Sequence, residues 1–179
     1  NMAILSGPEI EQLLKAGSLM KGWELSHINA SSLDVRLGDD FLCELAVDAN
    51  VNLVTLEKGC ETPYMHKVSG DLKLAPGEFC LAHTKEEFNL PDNVSAEFRL
   101  KSSVARKGLD HALAVWIDAG FHGSVLTLEL RNNLRNHSIV LKAGDKIGQI
   151  VFHRHENAGE YSYKKQGSYN NSKSVTRAN

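Results

Sequence analysis

The chain begins with a short amphipathic pattern that predicts one helix. Ser6-Gly7-Pro8-Glu9 has the form of a capping box, in which a serine and a glutamate three residues apart satisfy backbone groups at a helix start. Apolar residues follow at helical spacing, at Ile10, Leu13 and Leu14, and Gly17 ends the run. We therefore expect an N-terminal helix.

Beyond this helix, apolar positions recur at every second residue. Such alternation is typical of strands with one buried face, and it occurs at residues 33–37, 41–45 and 94–100. Residues 74–78 and 141–145 share the form apolar-x-x-Gly-acid, which suits a turn between strands. We expect a mainly β fold, either a distorted β-barrel or a jelly-roll-like sandwich.

Composition limits the class of protein. The 179 residues, 42% of them hydrophobic, suffice for one domain with a sizeable core. The formal net charge is -2 with acids and bases interspersed, which argues against binding nucleic acid or an anionic membrane. No apolar run is as long as a membrane span, no signal peptide is evident, and three cysteines make no disulfide framework. We expect a cytoplasmic protein.

A candidate phosphate cradle lies at residues 101–106, Lys-Ser-Ser-Val-Ala-Arg. Ser102 and Ser103 are good helix N-caps, so we expect a short helix near residues 102–107 that Gly108 ends. Free backbone NH groups at its start, the serine hydroxyls and the Arg106 guanidinium would together favour a di- or triphosphate. The alternative is an ordinary capped turn with a solvated arginine.

A candidate proton carrier lies on a later strand. In residues 125–130, alternation sends Leu126, Leu128 and Leu130 to one face. Val125, Thr127 and Glu129 share the other face, so the Glu129 carboxylate has apolar or small neighbours. A carboxylate partly removed from water suits a group that takes a proton from water and delivers it to a leaving amine. The alternative is a glutamate on a solvated strand face.

In their order along the chain, these segments resemble the dCTP deaminase branch of the dUTPase-like superfamily. The resemblance rests on Lys-Ser-Ser-Val-Ala-Arg-Lys-Gly-Leu at 101–109, Trp-Ile-Asp-Ala-Gly-Phe-His-Gly at 116–123 and Thr-Leu-Glu-Leu-Arg-Asn at 127–132. Ser-Ser-Leu-Asp-Val-Arg-Leu-Gly at 31–38 and Leu-Ala-Pro-Gly-Glu-Phe at 74–79 also fit. The resemblance implies a dUTPase-type fold with a single nucleotide-processing domain over residues 2–167.

The resemblance also implies a chemistry. Glu129 looks like the glutamate that serves these deaminases as general acid and base, with dCTP as substrate and dUTP as product. Mg²⁺ would accompany the triphosphate, and no zinc is expected, since the H-x-E and P-C-x-x-C signature of zinc deaminases is absent. We interpret His153 and His155 as surface or interface residues. Sites between the subunits of a homotrimer are implied, so Arg106 and Glu129 would act from different chains.

Asp118 lies in a predicted tight turn before Gly120 and Gly123. In the related dUTPases, an aspartate in a comparable turn positions the water that attacks the α-phosphate, and the deaminases also carry an aspartate here. Asp118 therefore does not separate the two activities. It would hydrogen-bond the deoxyribose 3′-hydroxyl or merely cap its turn.

The C-terminal segment changes in composition from residue 157 onward, towards Gly, Ser, Asn, Lys and Tyr. With little apolar surface to bury, residues 168–179 are expected to form a flexible tail. Tyr163, Lys165 and Gln166 offer an aromatic ring, a cation and an amide for closing over a nucleotide. The alternative is a merely disordered terminus.

Several positions depart from the family pattern. Lys101 stands where arginine is usual, the stretch from Arg106 to Asp118 is one residue short, and that from Gly120 to Glu129 is one residue long. Because a one-residue shift reverses the faces of a strand, Glu129 faces the site only if a bulge near Gly123 absorbs the extra residue. The tail also lacks the Gly-x-Pro-rich ending expected of the family.

Three functions follow in order of preference. The first is hydrolysis of dCTP to dUTP and ammonia. The second is a dUTPase, or a bifunctional enzyme that carries dCTP through to dUMP and releases pyrophosphate. The third is a catalytically silent nucleotide-binding or regulatory protein on the same fold.

Overall fold

The structure, a computed structural model, describes residues 3–44, 54–57 and 65–178. The helices within these ranges are α1 Gly7–Lys15, α2 Ser102–Ala105 and α3 Tyr163–Gln166. The strands are β1 Ala3–Ile4, β2 Leu19–Lys21, β3 Leu33–Arg36, β4 Asp40–Glu44, β5 Met65–Ser69, β6 Leu72–Leu74, β7 Phe79–Asn89, β8 Val94–Leu100, β9 Leu109–His111, β10 Trp116–Ile117, β11 His122–Asn132, β12 Ile139–Leu141 and β13 Lys146–Arg154.

Two antiparallel sheets enclose the core. The first has the order β1-β13-β8-β10, with β3 also paired to β13. The second has the order β5-β4-β7-β11-β9, with β2 also paired to β7, and β6 pairs with β12 in a small ribbon. Phe41 and Phe88 of the second sheet and Phe98 and Phe152 of the first are fully buried in one continuous hydrophobic cluster. Burial of these and the other apolar side chains of the cluster is the main favourable contribution to folding.

The predicted mainly β fold with an N-terminal helix is confirmed. Over the described residues the two sheets do not close into a barrel. The division into a domain at residues 2–167 and a tail stays a prediction. No helix among the described residues is long and apolar enough to cross a membrane.

Helix α1 follows the predicted capping box. The Glu9 carboxylate accepts a hydrogen bond from the Ser6 backbone NH at 2.9 Å, and Pro8 lies in the first turn. Ile10 and Leu14 are buried in the core. The helix ends at Lys15, and Gly17 follows with φ +80°, a left-handed conformation that glycine adopts without strain.

Helix α2 is shorter than expected and is capped differently. It ends at Ala105, and its N-cap is Lys101 rather than Ser102 or Ser103, which lie inside the first turn. The Lys101 ammonium donates to Asp34 of β3 at 2.7 Å, so a tertiary ion pair fixes the start of the helix. Gly108 has φ +90°, as the predicted stop requires.

The Asp34 carboxyl that holds Lys101 is buried. Burial acts to raise the pKa of Asp34, but hydrogen bonds from Lys101 and Asn29 outweigh it and hold that pKa below its ordinary value. Asn29 donates at 2.8 Å, and the Lys146 ammonium lies 3.4 Å from the second carboxylate oxygen. Residue 101 is therefore engaged in the framework that supports α2.

Candidate active site

A cavity of about 610 Å³ lies between β11, β10 and the C-terminal segment. Its size is within the range of small-molecule sites. Three carboxylates, two tyrosines and a tryptophan are among its lining groups. The lining residues are Glu44, Val54, Phe79, Leu81, Ala114, Trp116, Ile117, Asp118, Phe121, Val125, Leu126, Thr127, Glu129, Tyr163, Tyr169, Ser172, Thr176, Arg177 and Ala178.

Strand β11 carries Glu129 to the cavity by way of the predicted bulge. The pairing of β11 with β7 shifts between His122 and Ser124, and Gly123, with φ +66°, is the extra residue. Beyond it, Leu128 and Leu130 are completely buried, whereas Glu129 lines the cavity. The prediction that a bulge near Gly123 absorbs the extra residue is confirmed.

Leu126 departs only in part from the predicted alternation. It was expected on the same face as Leu128 and Leu130, and it packs against the hydrophobic core, but it is only half-buried and also lines the cavity. The pairing of β11 with β7 is irregular a second time between Val125 and Thr127, and the Leu126 NH donates to the Thr84 hydroxyl at 2.9 Å instead of to a strand carbonyl. The local break in the ladder leaves this side chain in contact with both the core and the cavity.

Glu129 is in close contact with a buried histidine of the neighbouring strand β9. The His111 Nε2 and Glu129 Oε2 atoms lie 3.1 Å apart, but neither makes a hydrogen bond of normal geometry. The imidazole is only 6% exposed and packs on Phe98 with the ring centres 4.8 Å apart. Buried polar atoms left in this state are uncommon in proteins and are found at functional sites. Nothing in the sequence pattern singled out His111.

Asp118 faces the cavity from the turn that follows β10. The turn is closed by its backbone, because the Phe121 NH donates to the Asp118 carbonyl at 3.2 Å. The carboxylate accepts a hydrogen bond from the Trp116 indole NH at 3.0 Å. Since the main chain closes the turn, the carboxylate is available to a bound molecule.

The aromatic wall of the cavity includes Tyr163, the residue at which α3 begins. Its ring meets Phe121 edge-on at 5.4 Å, and its NH donates to the Ala119 carbonyl at 2.9 Å. Burial raises the pKa of the Tyr163 hydroxyl. A neutral aromatic ring in this position suits contact with a nucleobase.

The preceding residue, Ser162, anchors this segment to the Asp118 turn. Its buried hydroxyl donates to Asp92 at 2.6 Å and accepts a bond from the Lys164 NH at 3.3 Å. A Cβ on Gly120 would lie 2.1 Å from the Ser162 hydroxyl, so only glycine fits at that position.

Two other residues expected at the site point elsewhere. The Lys165 ammonium forms an ion pair with Glu160, and the Gln166 amide donates to the Glu160 carbonyl at 2.8 Å. Neither residue lines the cavity. Both therefore serve the local structure around α3 in this conformation.

The C-terminal segment contributes cavity residues that the sequence reasoning missed. It runs beside β11, where the Val125 NH donates to the Ser172 carbonyl at 2.9 Å and the Ser172 NH to the Ser124 hydroxyl at 2.9 Å. The Thr176 NH reaches the Thr127 hydroxyl at 3.2 Å. Since these bonds depend on main-chain groups and small polar residues, composition alone gave no signal for them.

The predicted phosphate cradle is separate from this cavity. Ser102 and Ser103 of α2 and Arg106, which directly follows this helix, are exposed, and none of them is a lining residue. Within one chain the structure therefore unites Asp118, Glu129 and Tyr163, but it does not bring the cradle to them.

One group of potential metal ligands lies among the described residues. Asp39, Asp40 and His83 have ligand atoms within 4.8 Å of one another, outside the cavity lining. The Asp40 carboxylate there is already bonded to Lys67 at 2.9 Å, Ser69 at 2.8 Å and Ser174 at 2.9 Å. His153 packs on the Trp116 ring with centres 5.5 Å apart, and His155 contacts Ser95 at 2.9 Å, so both are half-buried packing residues.

Comparison with known proteins identifies the family. A family profile described as dCTP deaminase-like matches residues 4–155. The chain belongs to the dCTP deaminase-like family. This confirms the resemblance to the dCTP deaminase branch.

Relatives in this family match the chain over nearly its full length. A protein of Methanosphaerula palustris named "dCTP deaminase, dUMP-forming" is 34% identical over 178 residues, which cover 98% of this chain and 94% of the relative. A protein of the same name from Methanoculleus marisnigri is 36% identical, with coverages of 97% and 92%.

A solved dCTP deaminase-like structure has a similar fold. The 2′-deoxycytidine 5′-triphosphate deaminase of Agrobacterium tumefaciens superposes with a TM-score of 0.67 at 24% identity. The match covers 86% of this chain and 49% of that one, so this chain spans about half its length. At this identity the similarity concerns the fold alone.

Proposed function

We propose that this dCTP deaminase-like protein hydrolyses dCTP to dUMP, ammonia and pyrophosphate. The observation that carries the proposal is that one cavity holds two carboxylates, each beside a ring nitrogen: Glu129 near His111 and Asp118 bonded to Trp116. Two hydrolytic steps each need a carboxylate to handle a water proton. The names of the relatives support dUMP rather than dUTP as the final product.

In the deamination step, Glu129 serves as general base and then as general acid. It takes a proton from a water whose oxygen bonds to C4 of the cytosine ring. The bond from C4 to the exocyclic nitrogen then breaks, and the nitrogen leaves as ammonia after receiving the proton. Leu126 and Val125 exclude bulk water beside this carboxylate, which strengthens its interaction with the reacting atoms.

In the second step, Asp118 serves the triphosphate. It accepts a proton as a water oxygen bonds to the α-phosphorus, and the bond to the bridging oxygen of the β-phosphate breaks, with its electron pair leaving on pyrophosphate. Mg²⁺ bound by the triphosphate would supply charge neutralisation, and Glu44 gives the cavity a hard oxygen donor of the kind that this cation prefers. No zinc has a role in the proposal.

The phosphate cradle has a role in the proposal only if copies of the chain assemble. Ser102, Ser103 and Arg106 of one copy would bind the phosphates of a nucleotide held in the cavity of another, in a homotrimer. The support is that these three residues, at α2 and its C-terminal end, are exposed and absent from the lining of their own chain's cavity. Tyr163 would cover the base, whereas Lys165 and Gln166 have no part while they hold Glu160.

The test is to incubate the purified protein with dCTP and MgCl₂ and to follow ammonia, dUTP, dUMP and pyrophosphate separately. We expect ammonia and pyrophosphate in equal amounts, both abolished in Glu129→Gln and both retained in Glu11→Gln, a matched change on the exposed face of α1. Ammonia with dUTP and no pyrophosphate would indicate a deaminase only. In a parallel incubation with dUTP, pyrophosphate release without ammonia release from dCTP would indicate a dUTPase. Nucleotide binding without any product would indicate a regulatory protein.

A further inference from the structure

Trp116 is an exposed aromatic residue whose ring is nevertheless held in one orientation. Its side chain is 55% exposed, which for a large apolar ring calls for an explanation. It lies on β10, pairs across the sheet with Glu97 of β8, and lines the cavity. The indole is therefore placed at the mouth of the site instead of in the core.

Two contacts fix the orientation of this indole. One side packs on the His153 imidazole of β13, with ring centres 5.5 Å apart and planes tilted by 43°. The ring NH donates to the Asp118 Oδ1 atom at 3.0 Å. A side chain two residues before Asp118 lies on the same face of an extended chain, so sequence spacing and geometry agree.

The consequence falls on Asp118. An aspartate in an exposed turn has free rotation of its carboxylate, and the hydrogen bond from a pinned indole removes much of that freedom. With Oδ1 held by Trp116, the Oδ2 atom lies outside this bond and remains able to accept a proton. Holding a base in one orientation is the form of preorganisation that hydrolytic sites require.

From these contacts we infer that Trp116 is the positioning residue for Asp118 and determines whether the nucleotide leaves as dUMP or as dUTP. The inference rests on the proposed function, in which Asp118 serves the phosphate step and Glu129 the deamination. Loss of the indole NH leaves Asp118 in place but unaligned. The phosphate step then slows relative to deamination, and dUTP escapes.

The experiment compares initial rates of pyrophosphate and ammonia release from dCTP in the wild-type protein and in Trp116→Phe. Phenylalanine keeps an aromatic ring against His153 and removes the NH. We expect the ratio of pyrophosphate to ammonia to fall about ten-fold, with dUTP accumulating. The matched control is Trp23→Phe, which alters the other tryptophan, packed on the core outside the cavity lining, and leaves the ratio unchanged.

His153→Ala is a second variant, outside the cavity lining, that removes the ring packed on the indole together with the 4.0 Å contact between His153 and Glu97. It should lower the same ratio to a smaller extent. An unchanged ratio in both folded variants, with a wild type that releases both products, would overturn the inference and leave the proposed function intact. A wild type that releases no pyrophosphate would overturn the proposed function, and the inference with it.

Discussion

At the scale of single residues, the unusual feature is the contact between the His111 imidazole and the Glu129 carboxylate. The two atoms are 3.1 Å apart without hydrogen-bond alignment, in a place where the histidine is nearly excluded from water. Unsatisfied buried polar atoms are costly, so a bound water or substrate that completes their hydrogen bonding is favoured. In the proposed function, the pair would hold the water that the deamination consumes.

His111→Phe tests this interpretation. Phenylalanine preserves the packing on Phe98 and removes both ring nitrogens. We expect ammonia release to fall about ten-fold, because the water loses one of the two groups that would hold it, while the thermal unfolding midpoint stays close to that of the wild type. His111→Gln, which retains a polar side chain, should recover part of the rate. Full activity in the phenylalanine variant would show that the contact is incidental.

The sequence allowed some of these residues to be predicted and others not. Strand alternation pointed to Glu129, and turn chemistry pointed to Asp118, because both signals are local. His111 reaches Glu129 only through the pairing of β9 with β11, and Trp116 owes its place to β10, β8 and β13. Such contacts join strands that are far apart in sequence, so the hydrophobic periodicity of the sequence does not reveal them.

At the scale of elements, the C-terminal segment has two side-chain anchors in addition to its bonds with β11. Ser162 holds it to Asp92 and the Gly120 turn, and Ser174 donates to Asp40 at 2.9 Å. Between them the segment lies along β11 and covers the cavity. The expected flexibility of residues 168–179 stays a prediction. For the segment to move away from the cavity, these hydrogen bonds must break.

Deleting residues 168–179 should raise the KM for dCTP about ten-fold or more, because Tyr169, Thr176 and Arg177 would no longer line the cavity. Steady-state kinetics on the truncated protein measure this change. Ser174→Ala is the milder counterpart, since it removes one anchor and keeps the lining, and it should raise KM less. Equal KM values in the full-length and truncated proteins would mean that the segment plays no part in binding.

The second anchor is sensitive to pH. Hydrogen bonds from Lys67, Ser69 and Ser174 lower the pKa of Asp40 to about 2. Because the folded pKa lies below the ordinary value of 3.8, this carboxylate stabilises the fold fully above about pH 4, and the contribution is lost as pH falls towards 2. We expect Asp40→Asn to be less stable than the wild type in urea at about pH 6 and to differ from it less at about pH 2.5. A difference that does not change with pH would contradict the assignment.

Elements were predictable where their signals were local. The capping box of α1 is contained in four residues, and the bulge in β11 followed from a strand one residue too long for Glu129 to face the site. The start of α2 was not predictable, since its N-cap, Lys101, is held by Asp34 of a distant strand. Tertiary contacts override local cap preferences in this way.

At the scale of the whole molecule, the proposed trimer predicts that two inactive variants can restore activity when they are mixed, which a monomer could not do. If Arg106 and Glu129 act on one nucleotide from different chains, then Arg106→Ala and Glu129→Gln should each be inactive alone. After unfolding and refolding together, the mixture should regain activity, because some sites combine the intact residue of each variant.

The control for this experiment is Lys107→Ala, an exposed neighbour of Arg106 that should remain active by itself. Analytical ultracentrifugation establishes whether the mixture forms trimers. A trimeric mixture without activity would mean that both residues serve the same chain's site, and a monomeric active protein would exclude the shared site altogether.

The overall architecture was predictable only in class. Alternation at residues 33–37 and 94–100 indicated strands, but it cannot say which strands are neighbours. Strand β13 pairs with β1, β3 and β8, and β7 with β2, β4 and β11, so the sheet order depends on contacts across most of the chain. Whether the strands form a barrel or a sandwich depends on this sheet order, so alternation alone cannot decide between the two architectures.

The position of Trp116 also makes intrinsic tryptophan fluorescence a signal for nucleotide binding. The chain has two tryptophans, and one of them lines the cavity. A nucleobase entering beside the indole would change its emission, and Trp23→Phe would leave that signal without background. Nucleotide affinity could then be titrated by fluorescence in variants that have lost all turnover, so that binding and chemistry are measured independently in the same molecule.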